Sequence, residues 1–361
     1  MLYQSANPHG GDLFGYDIKL DFSVNTNPLG TPKTVMQAVV DSASQLCRYP
    51  DPQCRELVAA LAKYEGVPEG FVLCGCGAAE LIYAYCGVMG GGKALLTAPT
   101  FSEYAAALEA AGGKADFFSL REEDGFAVSE LFLQELEETS CKVVFLCNPN
   151  NPTGRLIFSP VLQDICEICK RRGIRLFVDE CFLDLSDVGR EASLVHLLGE
   201  FPDLFILKAF TKSYGMAGLR LGYCLCGDRA LLAAMGRRAQ PWNVSLPAQA
   251  AGVTALKEQA FLEEARKLIA QERRFLSMNL EKLSFKVYPS QANYLLLKSD
   301  VPIFEPLRER GILIRDCSNY AGLDAGFYRV AVKRREENQL LVEALSDICA
   351  HVQNRALGVR R

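Results

Sequence analysis

The chain of 361 residues contains three histidines and one tryptophan. With so few imidazoles, catalytic chemistry has to rest mainly on lysine, arginine, carboxylate and hydroxyl groups. No stretch reaches the roughly 18 uninterrupted apolar residues expected of a membrane span. The start, "MLYQSANPHGGDLFGYD", has neither the basic n-region nor the apolar run of a secretory leader. A cytoplasmic protein is expected. Positive charge is not in excess either, because the formal net charge is -4. No global field draws nucleic acid or an anionic membrane, and neither is expected as a partner. An anionic ligand would need a local cluster of cations.

Cysteine, by contrast, is abundant at fourteen residues. In a cytoplasmic chain these read as reduced thiols rather than a disulfide framework. The close pairs in "CGC" (74–76), "CEIC" (166–169) and "CLC" (224–226) do not have the paired spacing of a zinc site. Cys166 and Cys169 fall in the helix-like "LQDICEICKRRG", whose apolar neighbours point to packing, and no metal is expected. Composition is ordinary for a globular protein, with 49% apolar and 23% charged residues. The length favours one large domain and a smaller one.

Residues 1–35 are rich in Gly, Pro and Asn and read as an arm with one short strand in "IKLDFSV". From 36 to about 240, apolar runs alternate with amphipathic helices. The seven strand candidates are "FVLCG", "KALLTA", "KADFFSL", "KVVFLCN", "IRLFVDE", "LFILKAF" and "LGYCLCG". Short apolar runs of this kind suit strands buried on both faces of a mainly parallel sheet, giving an α/β domain. A long charged helix follows in the 241–361 segment, then two or three strands and two helices, suggesting a smaller α+β domain.

Ligands of parallel sheets bind where strands pass into loops, and four such junctions are chemically distinctive. "CGCGAAEL" (74–81) brings glycine and alanine, including Gly77, Ala78 and Ala79, from a strand into a helix, leaving bare N–H groups that suit phosphate. "CNPNNPTG" (147–154) is a rigid turn able to hold an Asn side chain at a fixed angle. In "FVDECFLDL", Asp179 ends a buried strand, where a carboxylate needs a cationic partner. In "KAFTKSYGMAGLRLGY", Lys212 follows a strand and Arg220 lies eight residues on, whereas Lys208 reads as an ordinary charge at a strand end. In this order the junctions look like a pyridoxal-phosphate site. Lysine forms an imine with the aldehyde, and Asp keeps the ring nitrogen protonated. Asn meets the ring oxygen, while Arg and helix N–H groups hold the phosphate.

"NPNNPTG", "VDE" and "FTKSYGMAGLRLG", matched in order along almost the whole chain, resemble the class I/II aminotransferases of fold type I. The resemblance implies a pyridoxal-phosphate enzyme in which Lys212 is the covalent anchor. Arg220 would bind the cofactor phosphate together with Thr211 and the backbone at Gly77, Ala78 and Ala79. Asp179 would face the ring nitrogen, Asn151 the ring oxygen, and Phe101 would stack on the ring. It also implies that Tyr49 of "RYPDP" reaches the cofactor phosphate of a second subunit in a homodimer, and that Arg329 forks a substrate carboxylate. Two departures stand out: Ala209 replaces a phosphate-binding hydroxyl residue, and Phe182 replaces a tyrosine that donates to the ring oxygen.

"DECFLDL", "HGGD", "DFSVNTNPLG", "CGCGAAELIY" and "ILIRDCSNYAGL" resemble the L-threonine-O-3-phosphate decarboxylase group within that family, although Cys76 replaces its usual Asn. This resemblance implies a phosphorylated amino-acid substrate and its decarboxylation to aminopropanol phosphate, a step of cobalamin assembly. Arg329 and Asn27 would meet the substrate, with Arg315 and His9 at its phosphate. The alternatives are a histidinol-phosphate or related aminotransferase using 2-oxoglutarate, an O-phosphoserine decarboxylase and a catalytically silent binding protein.

Overall fold

The computed structural model describes residues 9–356. The arm enters as a short strand, β1 (Leu20–Asp21). Each apolar run in the following segment forms a strand: β2 (Val72–Gly75), β3 (Lys93–Ala98), β4 (Lys114–Ser119), β5 (Val143–Cys147), β6 (Arg175–Asp179), β7 (Leu204–Ala209) and β8 (Gly222–Cys226). They make one seven-stranded sheet in the order β2-β8-β7-β6-β5-β3-β4. The pairs from β7 through β4 are parallel, and β8 is antiparallel to both its neighbours.

Alternation along each strand sends side chains to two cores. Leu176 and Val178 of β6, with Leu204 and Ile206 of β7, face the core covered by helices Arg55–Glu65, Glu130–Glu138 and Ser159–Arg172. Phe177, Phe205 and Leu207 face the other, under helices Gly77–Met89, Glu103–Ala110 and Arg229–Arg238. Cys166 and Cys169 are buried in the first core, as packing requires.

The smaller unit contains five strands rather than two or three: β9 (Lys286–Val287), β10 (Tyr294–Lys298), β11 (Ile312–Leu313), β12 (Arg315–Asp316) and β13 (Phe327–Ala331). Three are only two residues long, too short for a period-two pattern to register. Strands β12-β13-β10-β9 form an antiparallel sheet, and β11 pairs with β1 of the arm. Phe22 sits in this second unit's core, so the arm is fastened to it. Helix Leu246–Ala255 packs on the large-domain helices Lys33–Ser42 and Arg55–Glu65. Within the long helix Gln259–Lys282, Ala265 and Ile269 belong to the large core, while Leu276 and Leu280 belong to the small one. The chain therefore changes partners inside that helix, later than the composition changes near 240. Among the described residues no helix is long and apolar enough to cross a membrane.

Candidate active site

The carboxyl ends of β2, β3, β5, β6 and β7 converge with the arm, β12 and β13 on a cavity of about 310 Å3. At one side the helix Gly77–Met89 starts directly after β2 and presents Ala78 and Ala79. Gly77 has φ +79°, and a Cβ there would lie 2.4 Å from Arg220 Nη2. Glycine is thus required twice, for the backbone region and for the room the guanidinium occupies. Gly222 of β8 has a similar role, since a Cβ on it would come within 2.7 Å of the Ala78 nitrogen. With Thr211 and Arg220 lining the same end, the arrangement is a phosphate cup. Ala209 lines it without offering a hydroxyl.

In the middle of the cavity, Asp179 ends β6 and is almost fully buried. Its Oδ2 accepts from the Tyr104 hydroxyl at 2.6 Å, and its Oδ1 from the Cys181 N–H at 2.8 Å. Burial raises its pKa, against the pull of those donors and of the Lys212 charge. No Lys or Arg ion pair with Asp179 forms among the described residues, so the cavity has a carboxylate lacking its cation. A protonated ring nitrogen supplies one. Phe101 and Asn151 line the same space. The Asn151 Oδ1 accepts from Arg329 Nη1 and from Tyr320 OH, so its Nδ2 is the amide atom left to donate to a ligand oxygen. Phe182 packs edge-on against Tyr294 and offers no hydroxyl.

Lys212 lies in the short helix Phe210–Ser213, with Nζ 5.7 Å from the Phe182 ring centre. Burial first, and then the positive charges of Arg329 and Arg220, bring its pKa down to about 8. Asn27 does not line the cavity. Its backbone N–H donates to Lys212 O at 3.1 Å and its Nδ2 to Ser213 O at 2.8 Å, while its Oδ1 accepts from Leu29 N. The amide nitrogen is thus spent on the lysine turn and the oxygen on the turn of its own segment, so the structure places this residue behind Lys212 rather than among the cavity-lining residues. Lys208 is also not an ordinary strand-end charge. It is 3% exposed, with Nζ 3.1 Å from Glu180 and 3.7 Å from Glu65. Tyr223 donates to Glu65, and Ser193 donates to Glu180.

The other side of the cavity carries cations. Arg315 of β12 and Arg329 of β13 are direct cross-strand partners, and both line the cavity. Arg329 is anchored by Asn151 and by the Ser23 carbonyl at 2.7 Å, and its buried Nε has no hydrogen-bond partner among the described residues. Arg315 donates to Asn319 at 2.7 Å and lies over the Tyr320 ring. His9 completes this side, and Glu103 is its partner at 2.9 Å. Tyr49 lies outside the cavity, 78% exposed and stacked on Trp242 at 4.5 Å.

Residues 17–345 match the sequence pattern of the family described as Aminotransferase class I and II. The chain belongs to this family. It is 37% identical to the threonine-phosphate decarboxylase of Salmonella typhimurium over 96% of this chain and 97% of that one. It is 33% identical to the histidinol-phosphate aminotransferase of Methanococcoides burtonii, over 90% and 88%. The structure of histidinol-phosphate aminotransferase from Sinorhizobium meliloti in complex with pyridoxal-5'-phosphate has the same fold, with a TM-score of 0.84 and 22% identity over 93% of this chain and 92% of that one. The fold is that of the fold type I pyridoxal-phosphate enzymes, and membership of the family implies pyridoxal phosphate as the cofactor.

Several residues of this site carry no motif. Tyr104 lies in the first turn of the helix Glu103–Ala110, three residues after Phe101 and edge-on to its ring. Tyr320 and Glu103 line the cavity from "SNYAGL" and "FSEY". Asn25 lines it too, buried, with its Oδ1 lacking a partner among the described residues.

Proposed function

We propose that the protein decarboxylates O-phospho-L-threonine to aminopropanol phosphate, as a homodimer. The observation that carries the reading is the pairing of Arg315 with Arg329 across β12 and β13. Like charges directly opposite on neighbouring strands repel, so an anion entering between them gains from both. The phosphate cup with Arg220 is built on other elements lining the same cavity, the turn after β2 and the segment between β7 and β8. A substrate carrying both a carboxylate and a phosphate therefore meets a cation set separate from the cofactor's own. The 37% identity to a threonine-phosphate decarboxylase favours this substrate.

Pyridoxal phosphate, when bound, supplies an aldehyde and an electron-accepting ring. Asp179, steadied by Tyr104 and Cys181, would hold a proton at the ring nitrogen. Ala78, Ala79, Thr211 and Arg220 would hold the phosphate, and Asn151 Nδ2 would meet the ring oxygen. Arg329 takes the substrate carboxylate in a fork, and Arg315 with His9 takes the substrate phosphate. With its pKa near 8, Lys212 is populated in both forms near neutral pH, and as the ammonium it can deliver its proton to the reacting carbon after carbon dioxide leaves, becoming the neutral amine. Tyr49, exposed and stacked on Trp242, would serve the cofactor phosphate of a second subunit in this reading.

A histidinol-phosphate or related aminotransferase is the second reading, supported by the 33% identity to such an enzyme. Holoenzyme given O-phosphothreonine, with and without 2-oxoglutarate, separates the two. Oxo-acid-independent carbon dioxide is expected, and glutamate production without carbon dioxide would overturn the decarboxylase assignment.

A further inference from the structure

The cation side of the cavity also contains a carboxylate, which is unexpected where an anion is to bind. Glu103 opens the helix Glu103–Ala110 and lines the cavity with His9, Arg315 and Arg329. A bare carboxylate there would repel a phosphate. It is not bare. Its Oε1 lies 2.9 Å from His9 Nε2, and its Oε2 accepts from the Tyr83 hydroxyl at 3.1 Å. The hydrogen bond from His9 is the main cause of the lowered pKa of Glu103, and Tyr83 adds to it.

The backbone that delivers His9 is also pinned. A Cβ at Gly10 would meet the Ser23 carbonyl at 2.5 Å, so the arm lies flat on that residue. Gly11 N–H donates to Ser23 Oγ at 2.8 Å, and Ser23 Oγ donates to Asp21 at 2.6 Å. The His9 ring is tilted 46° to Phe101 at 6.0 Å between centres. The imidazole thus has a fixed root, an aromatic neighbour and a hydrogen-bond acceptor. A carboxylate only accepts, so Nε2 must carry the proton it shares with Glu103.

We propose that Glu103 is a positioning residue for phosphate recognition, holding the His9 ring through Nε2 in the orientation in which it serves the substrate's phosphate, with Tyr83 steadying the carboxylate. This rests on the reading that the substrate carries a phosphate, and it holds for either reaction above. The role gives Glu103 an effect opposite in sign to that of its charge. Electrostatics alone makes removal of a carboxylate tighten an anion. Loss of a positioning contact frees a side chain that binding must then order again, and so weakens it.

The test measures dissociation constants of O-phosphothreonine and of L-threonine for the holoenzyme, read from the cofactor absorbance. Glu103→Ala should weaken O-phosphothreonine by roughly three- to tenfold, the ordering cost of one side chain, and leave threonine unchanged. Glu103→Gln should be close to wild type, because its amide oxygen still accepts from Nε2–H. In the His9→Ala background the sign should reverse, with Glu103→Ala tightening O-phosphothreonine, since the carboxylate then has only its repulsion. Tighter O-phosphothreonine binding in Glu103→Ala with His9 intact overturns the proposal, as does equal weakening of both ligands. If wild type prefers O-phosphothreonine to threonine and both Glu103 variants keep that preference, Glu103 has no such role. If wild type shows no preference at all, the phosphate-substrate reading fails and this inference falls with it.

Discussion

Gly77→Ala isolates what the phosphate cup demands of the chain. At φ +79° an alanine is strained by about 1–2 kcal/mol. Its methyl would also lie 2.4 Å from Arg220 Nη2 and 2.9 Å from Cζ, so the guanidinium has to leave its place. A hydrogen bond to a charged group is worth about 1.5–3 kcal/mol. Displacing one such contact with the cofactor phosphate should therefore raise the dissociation constant by about 10- to 100-fold. Gly173→Ala is the control. Its φ is +63°, but nothing lies within 4 Å of its added carbon. It should lose stability of the same order as the strain and no cofactor affinity. The assay is a spectrophotometric titration of apoprotein with pyridoxal phosphate, paired with thermal unfolding of each apoprotein. If Gly77→Ala binds the cofactor within twofold of wild type, or if Gly173→Ala weakens it equally, the steric coupling of Gly77 to Arg220 is refuted.

Two other perturbations test the lysines. The Lys212 amine is lowered from 10.5 to about 8 by burial and by Arg329 and Arg220, so uptake of pyridoxal phosphate by apoprotein should rise about tenfold per pH unit below that value and level off above it. The unfolded chain binds more protons than the folded one between the two values, so apoprotein stability should rise with pH across that interval; uptake still rising about tenfold per pH unit through about pH 9 would exclude the lowered amine. Lys208→Met leaves Glu180 buried without its cation and Glu65 with Arg190 alone and should cost about 3–5 kcal/mol in denaturant unfolding, partly recovered by adding Glu180→Gln. A loss no larger than that of an exposed lysine would show that the buried pair contributes little.

The parts of the site legible in the sequence are those where a chemical type sits at a strand end. Asp179, Asn151 and Lys212 each follow an apolar run, Arg220 precedes the antiparallel β8, and the sheet brings those ends together. Contacts between distant segments left no such trace. His9 and Glu103 are joined by the way the arm folds back over the sheet, and nothing local to either residue announces the other. The partner change within Gln259–Lys282 was hidden for a related reason: an amphipathic helix keeps one periodicity whichever core its apolar face meets.

Lys208 was legible by an argument applied to its neighbours and withheld from it. A carboxylate at the end of a buried strand demands a cation, and the same holds for a lysine inside "LFILKAF". Alternation then decides which residues can meet. On β6, Asp179 shares the face of Phe177, and the next residue, Glu180, turns to the face of Val178. On β7, Ala209 shares the face of Leu207, and Lys208 that of Ile206. Glu180 and Lys208 thus meet on one face, while Asp179 and Ala209 face the cofactor side on the other. A one-residue slip of either strand would put Lys208 or Glu180 into the cavity and remove Asp179 or the lysine turn from it. The buried ion pair behind the sheet therefore resists the register shift that would dismantle the site in front of it.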